Sequence, residues 1–267
     1  MRERSKENET TLLSPFEENA IRAEQEMKER IAALKREFDH ISRTIVSRNA
    51  MQYDDLHNED IYQLHSRLVV KCANAVLAKQ GRKFVIDDNN RDVLRFLLYY
   101  FNNCDKALEI FPQCDLNKCI FLFGKAGVGK TVIMDSFSLY LKETKNPRAF
   151  YSTSQTQMLN YYRQHNSIDK FTFNENNSKS FDGDPVNICL NDLGLKTQKF
   201  YGTDMQMLIE EFLYARYEIW TSQGKFVHIT TNLDRQDITD LFKDNFERLT
   251  DRLKMFNVIP INGESRR

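Results

Sequence analysis

Lys130 and Thr131 follow three closely spaced glycines, Gly124, Gly127 and Gly129, in the pattern Gly-x-x-x-x-Gly-Lys-Thr. Residue types at this spacing suit the phosphates of a nucleoside triphosphate. The glycines open backbone angles closed to other residues, so the loop can curl with its N–H groups pointing inward. The cradle comprises Gly124, Lys125, Ala126, Gly127, Val128, Gly129, Lys130, Thr131 and Val132. Lys130 reaches the β- and γ-phosphates, the Thr131 hydroxyl holds Mg²⁺, and the helix starting there adds its positive N-terminal end. ATP and Mg²⁺ are thus the cofactors to expect. Such a site also needs an acidic group at the tip of a neighbouring strand for the metal, partly through water, and a polar group to aim the attacking water. Asn191-Asp192, at the end of the apolar run 185–190, lies where both belong. Asp192, together with Thr131, is the candidate metal residue.

The elements that position these groups can be read from the apolar pattern. Cys119 to Phe123 is a short bulky run suited to a strand buried on both faces. Val132, Ile133, Phe137, Leu139 and Leu141 recur at helical spacing after the loop. Further strands are predicted over 148–152, 185–190, 226–231 and 258–261, and helices over 156–165, 203–222, 238–242 and 248–256. Strands alternating with helices imply a parallel sheet. Residues 166–184, rich in Asn, Ser, Asp and Lys, read as a surface loop.

Before the loop the chain is helical. Residues 1–13 are polar without apolar period and are expected to be a disordered tail. Ser14-Pro15-Phe16-Glu17 is a helix start, and Met27, Ile31, Leu34, Phe38, Ile41 and Ile45 then form a heptad seam. That seam can lie on a second helix over 58–79, where Ile61, Leu64, Leu68, Cys72, Val76 and Leu77 share a face, or it can be an arm for a partner. The helix carrying Val93 to Phe101 is apolar nearly all round and should be buried. We divide the chain into the tail 1–13, a helical, partner-binding region 14–85, and a nucleotide-binding domain 86–267.

Composition adds bounds. Among 267 residues, 38 Lys plus Arg balance 38 Asp plus Glu, so no global field points to nucleic acid or membrane. The five cysteines show no Cys-x-x-Cys pair and read as reduced thiols, and the five histidines show no metal spacing. No apolar run is long enough to span a membrane, and the cytoplasm is the expected compartment.

Leu190-Asn191-Asp192-Leu193-Gly194 resembles the Asp-Asp-Leu-Gly strand end of the DnaC/IstB-like AAA+ ATPases. Ile229-Thr-Thr-Asn232-Leu233 is similar to that family's sensor-1 strand, and Arg248-Leu-Thr-Asp-Arg252-Leu to its arginine-finger segment. The resemblance spans about residues 86–267. It implies an α/β P-loop AAA+ domain with a parallel central sheet behind an all-helical N-terminal region. It implies that Asn232 senses the γ-phosphate, and that Arg252 is the finger given to a neighbour's nucleotide in an ATP-bound homo-oligomer; Arg216 and Arg266 could face that interface too. By the same resemblance the protein is an ATP-dependent replication accessory ATPase like a helicase loader, binding single-stranded DNA and gripping a replicative helicase through 14–85. The alternative within the family is an IstB-like transposition ATPase that regulates a transposase on duplex DNA; one of another class is a structural adaptor that nucleotide merely stabilises. Where the family has two aspartates this chain has Asn191 then Asp192. Loss of one carboxylate predicts weak metal binding and slow turnover, hence an ATP-binding switch more than a fast hydrolase.

Overall fold

The structure is a computed structural model that describes residues 15–46, 53–194, 205–241 and 251–266. The five apolar side chains of Cys119–Phe123 have no face to spare for water, and this segment forms β1, buried along its whole length. It lies between β4 (Val227–Thr231) and β5 (Phe256–Pro260), with the largely buried β3 (Ile188–Leu193) beyond β4 and the more exposed β2 (Tyr151–Ser154) at the edge. All pairings are parallel, in the order β2-β3-β4-β1-β5. The α/β class with a parallel central sheet is therefore as the sequence predicts.

Alternation along the strands sends side chains to two cores. Ile120 and Leu122 face a layer built from α2 (Glu59–Ala78), α3 (Arg91–Phe101) and α5 (Lys130–Glu143). Cys119, Phe121 and Phe123 face the other layer, which holds α6 (Gln155–His165) and α7 (Met205–Gln223). The short helices α4 (Lys106–Ile110) and α8 (Arg235–Leu241) fill connections. From Val93 to Phe101, only Arg95 on α3 is not buried, in keeping with a helix apolar almost all round.

α2 is part of the first core. Leu68, Val69 and Cys72 are buried with Ile133 and Phe137 of α5. A polar chain reinforces the contact: buried His65 sits between the Asp54 carboxylate (3.0 Å) and the Tyr140 hydroxyl, which also accepts from Asn102 Nδ2 at 2.9 Å. The long helix α1 (Pro15–Val46) lies against α2. Phe38 packs on the first core and Glu37 pairs with Lys71, whereas Met27 and Ile31 are each 45% exposed. The side chains of Ile41 and Ile45, and all of residues 1–14 and 248–250, lie outside the described residues.

Strand boundaries shift by a few residues from the sequence-based expectation, most at β2 and β3. β2 begins at Tyr151, not 148, because Arg148 is turned inward; its guanidinium donates to Tyr100 O (2.7 Å) and Asn103 Oδ1 (2.8 Å). β3 runs on through Asn191 and Asp192 to Leu193, with an irregular register between Leu190 and Leu193 against β4.

His228 on β4 is 1% exposed and ringed by Tyr100, Phe101 and Phe150, and its Nδ1 accepts the Ile120 N–H at 3.1 Å. Burial, aided by the Arg148 charge, pushes its pKa down to about 3. The folded imidazole thus stays neutral while an unfolded one gains a proton below its ordinary pKa near 6.5. Its contribution is intact above that pH and is lost as pH falls, at about 1.4 kcal/mol per pH unit. Urea unfolding between pH 7 and pH 4 should show a shallower loss of stability for His228→Gln than for the wild type.

Candidate nucleotide-binding site

The loop between β1 and α5 closes against the end of the chain. Gly124 lies so near the Ile261 backbone that a Cβ there would stand 2.2 Å from its carbonyl oxygen; one on Gly127, at φ +87°, would stand 2.3 Å from Ser265 Oγ. Glycine is required at both places by close approach. The Ile261 N–H donates to Phe123 O (2.8 Å) and the Arg266 N–H to Gly127 O (3.0 Å), so the segment after β5 is laced along the loop.

A cleft of about 820 Å³ opens over this loop. Gly127 to Ile133 form its floor, with Asp135, Asp192 and Asn232 on one side and Val76, Phe84, Asp87 and Arg266 among its other walls. Lys130 is 3% exposed, and its ammonium donates to Gly124 O (2.6 Å), Lys125 O (2.8 Å) and Asn232 Oδ1 (2.7 Å). Three oxygens thus satisfy a charge that burial alone would penalise. Asn232 follows directly after β4, whose parallel pairing with β1 delivers its side chain to the lysine.

Asn191 and Asp192 point differently. Asp192 takes a left-handed backbone (φ +58°), its N–H donates to Thr230 Oγ1 (3.1 Å), and it lines the cleft. Asn191 is 3% exposed and its amide is engaged inside the protein. Nδ2 donates to Ser152 Oγ (2.8 Å) and lies 3.5 Å from Asp135 Oδ1, while Oδ1 accepts from Thr230 Oγ1 (3.0 Å).

Asp135 is the cleft residue that sequence reasoning passed over, although an acid four residues after Thr131 falls on the same helix face and could have flagged it. The Ser152 hydroxyl donates to it. Burial raises its pKa, with Ser152 and Asn191 opposing and the nearby Asp192 charge adding to the rise.

The arginines fall in three different places. Arg252 lies over the rings of Tyr214 (4.2 Å) and Tyr217 (4.9 Å) on α7, away from the residues that line the cleft. Arg216 corrects the expectation of an interface position: it is fully buried, and its guanidinium donates to Phe171 O (2.6 Å) and Val186 O (2.8 Å), tying α7 to the 166–186 segment. Burial lowers its pKa to about 9. Arg266 is in the wall of its own chain's cleft, paired in two-pronged fashion with Asp87 at 2.8 and 2.7 Å. These placements come from tertiary contacts 30 or more residues apart in sequence. Among the described residues, His57, Cys104 and Asp105 also come together, with His57 Nε2 2.9 Å from the Asp105 carboxylate; no sequence spacing signals this group. No described helix is long and apolar enough to cross a membrane.

No protein-family model and no curated protein matches this sequence. Among solved structures the chain is similar to the DnaC helicase loader, at 21% identity and a TM-score of 0.43, over 67% of this chain and 93% of that one. It is also similar to AMPPCP-bound DnaA from Aquifex aeolicus, at 20% identity and a TM-score of 0.40, over 67% of this chain and 48% of that one. A replication initiator DnaA bound to AMPPCP and single-stranded DNA is similar at 19% identity and a TM-score of 0.40, over 68% of this chain and 49% of that one.

Proposed function

We propose that this chain is an ATP-dependent DNA replication accessory protein of the helicase-loader type, in which ATP binding acts as a switch. The observation that carries the reading is the hydrogen bond from Lys130 to Asn232. The ammonium that meets β- and γ-phosphate oxygens in a P-loop is here tied to the residue ending β4. An arriving triphosphate competes for that ammonium and releases Asn232, so occupancy of the loop is transmitted to β4 and the segment after it.

The donors in the cleft fit a hard cation: the Thr131 hydroxyl and the Asp135 and Asp192 carboxylates are all oxygen ligands. Mg²⁺ bound there with ATP would neutralise charge on the β- and γ-phosphate oxygens. Lys130 and the loop N–H groups hold the phosphates, and Asp192 orients water at the γ-phosphate. Asn191 itself offers neither charge nor a free lone pair to the cleft.

Arg252, stacked on α7 rather than set in its own cleft, acts on the nucleotide of a neighbouring copy in the ATP-bound homo-oligomer. The 14–85 helices grip the replicative helicase, with the half-exposed Met27 and Ile31 of α1 as contact residues, and single-stranded DNA binds the assembled form.

Lys130→Ala is expected to weaken ATP binding about ten- to hundred-fold, the scale of a lost charged hydrogen bond, in a fluorescent-nucleotide titration. Mass measurement in solution, with and without ATP, Mg²⁺ and single-stranded DNA, should show assembly of the wild type. Arg252→Ala should stay monomeric while still binding ATP. A wild type that is monomeric under every condition removes the oligomeric mechanism.

A further inference from the structure

From the burial of Asn191 against Asp135, we infer that this chain has moved the metal-side carboxylate of its nucleotide site from strand β3 to helix α5. Asp135 is the group that faces the Mg²⁺ of bound ATP, and Asn191 is its positioning residue. The inference rests on the ATP-Mg²⁺ reading above and assigns the charge within it.

In P-loop NTPases the metal is held by the loop Ser or Thr together with an acid on a neighbouring strand. Residue 191 cannot play that part here. It carries no charge, its Oδ1 is occupied by the Thr230 hydroxyl, and its Nδ2 presents hydrogens, not lone pairs, toward Ser152 and Asp135. Asp135 has what residue 191 lacks. It stands one helical turn beyond Thr131 on the same face of α5, it lines the same cleft as Thr131 and Asp192, and it forms no salt bridge among the described residues. Lys130 directs its ammonium to two loop carbonyls and Asn232.

The two residues are matched. Asp135 accepts from Ser152, and Ser152 accepts from Asn191, so the amide and the hydroxyl together fix the carboxylate's orientation. A second acid at 191 would set two carboxylates 3.5 Å apart beside Asp192, with repulsion that a half-buried site amplifies. An amide at 191 is what a carboxylate at 135 requires, and exchanging the two should restore one acid and one amide in the same pocket.

The test is the gain in ATP affinity that Mg²⁺ brings, measured by titrating fluorescent ATP with excess Mg²⁺ and with EDTA. Asp135→Asn should reduce that gain about ten- to hundred-fold, as loss of a group holding a metal shell does, while binding in EDTA should be retained or tightened, because one negative charge beside the phosphates is removed. Retained EDTA binding also reports an intact fold. The exchange variant Asp135→Asn/Asn191→Asp should recover most of the gain, which a purely structural role for either residue would not produce. Mn²⁺ electron paramagnetic resonance gives the same comparison without nucleotide fluorescence. An Asp135→Asn protein that keeps the full Mg²⁺ gain overturns the assignment and leaves the nucleotide reading standing. A wild type that binds no ATP in either condition overturns both.

Discussion

The structure turns on a buried ammonium. Lys130 is almost out of reach of water, and its charge is tolerated only because two loop carbonyls and Asn232 converge on it. Those oxygens come from two different constraints. The carbonyls require the glycine-bearing curl of the loop, and Asn232 requires β4 to pair in parallel beside β1. The sheet, its two covering layers and the chain end lying along the loop can all be understood as fixing that convergence.

Charge at the other side of the cleft is arranged by exchange. The family that the motifs resemble places two acids at the end of this strand, and here the first is an amide turned inward to Ser152, Thr230 and Asp135. A carboxylate on α5 stands next to it. Low dielectric makes the number of charges in such a pocket costly to change, whereas their location can shift between neighbouring elements that share a hydrogen-bond chain. Asn191 read alone looks like a loss; beside Asp135 it looks like a redistribution.

The helices before the P-loop serve two masters. α2 is bound into the first core by Leu68, Val69 and Cys72 and by the His65–Tyr140 contact, so it belongs physically to the layer that covers the sheet. α1 follows α2 through Phe38 and Glu37 and leaves Met27 and Ile31 half in water. The apolar face that each helix carries is therefore used on one helix for the domain's own core and is left partly uncovered on the other.

The sequence by itself determined the phosphate loop, the parallel α/β class, the buried character of α3 and the place of Asp192 and Asn232 at strand ends. These depend on local spacing: a glycine pattern, a run of bulky residues, a helical period. It did not determine which way Asn191 would point, that Asp135 would share the cleft, or that Arg216 would be buried and Arg266 laid along its own loop. Those outcomes depend on contacts across tens to more than a hundred residues, such as Asn191 with Ser152, Arg216 with Phe171 and Arg266 with Asp87. A residue's type tells which bonds it can make; only the packing of sheet on helix decides which partner is within 3 Å.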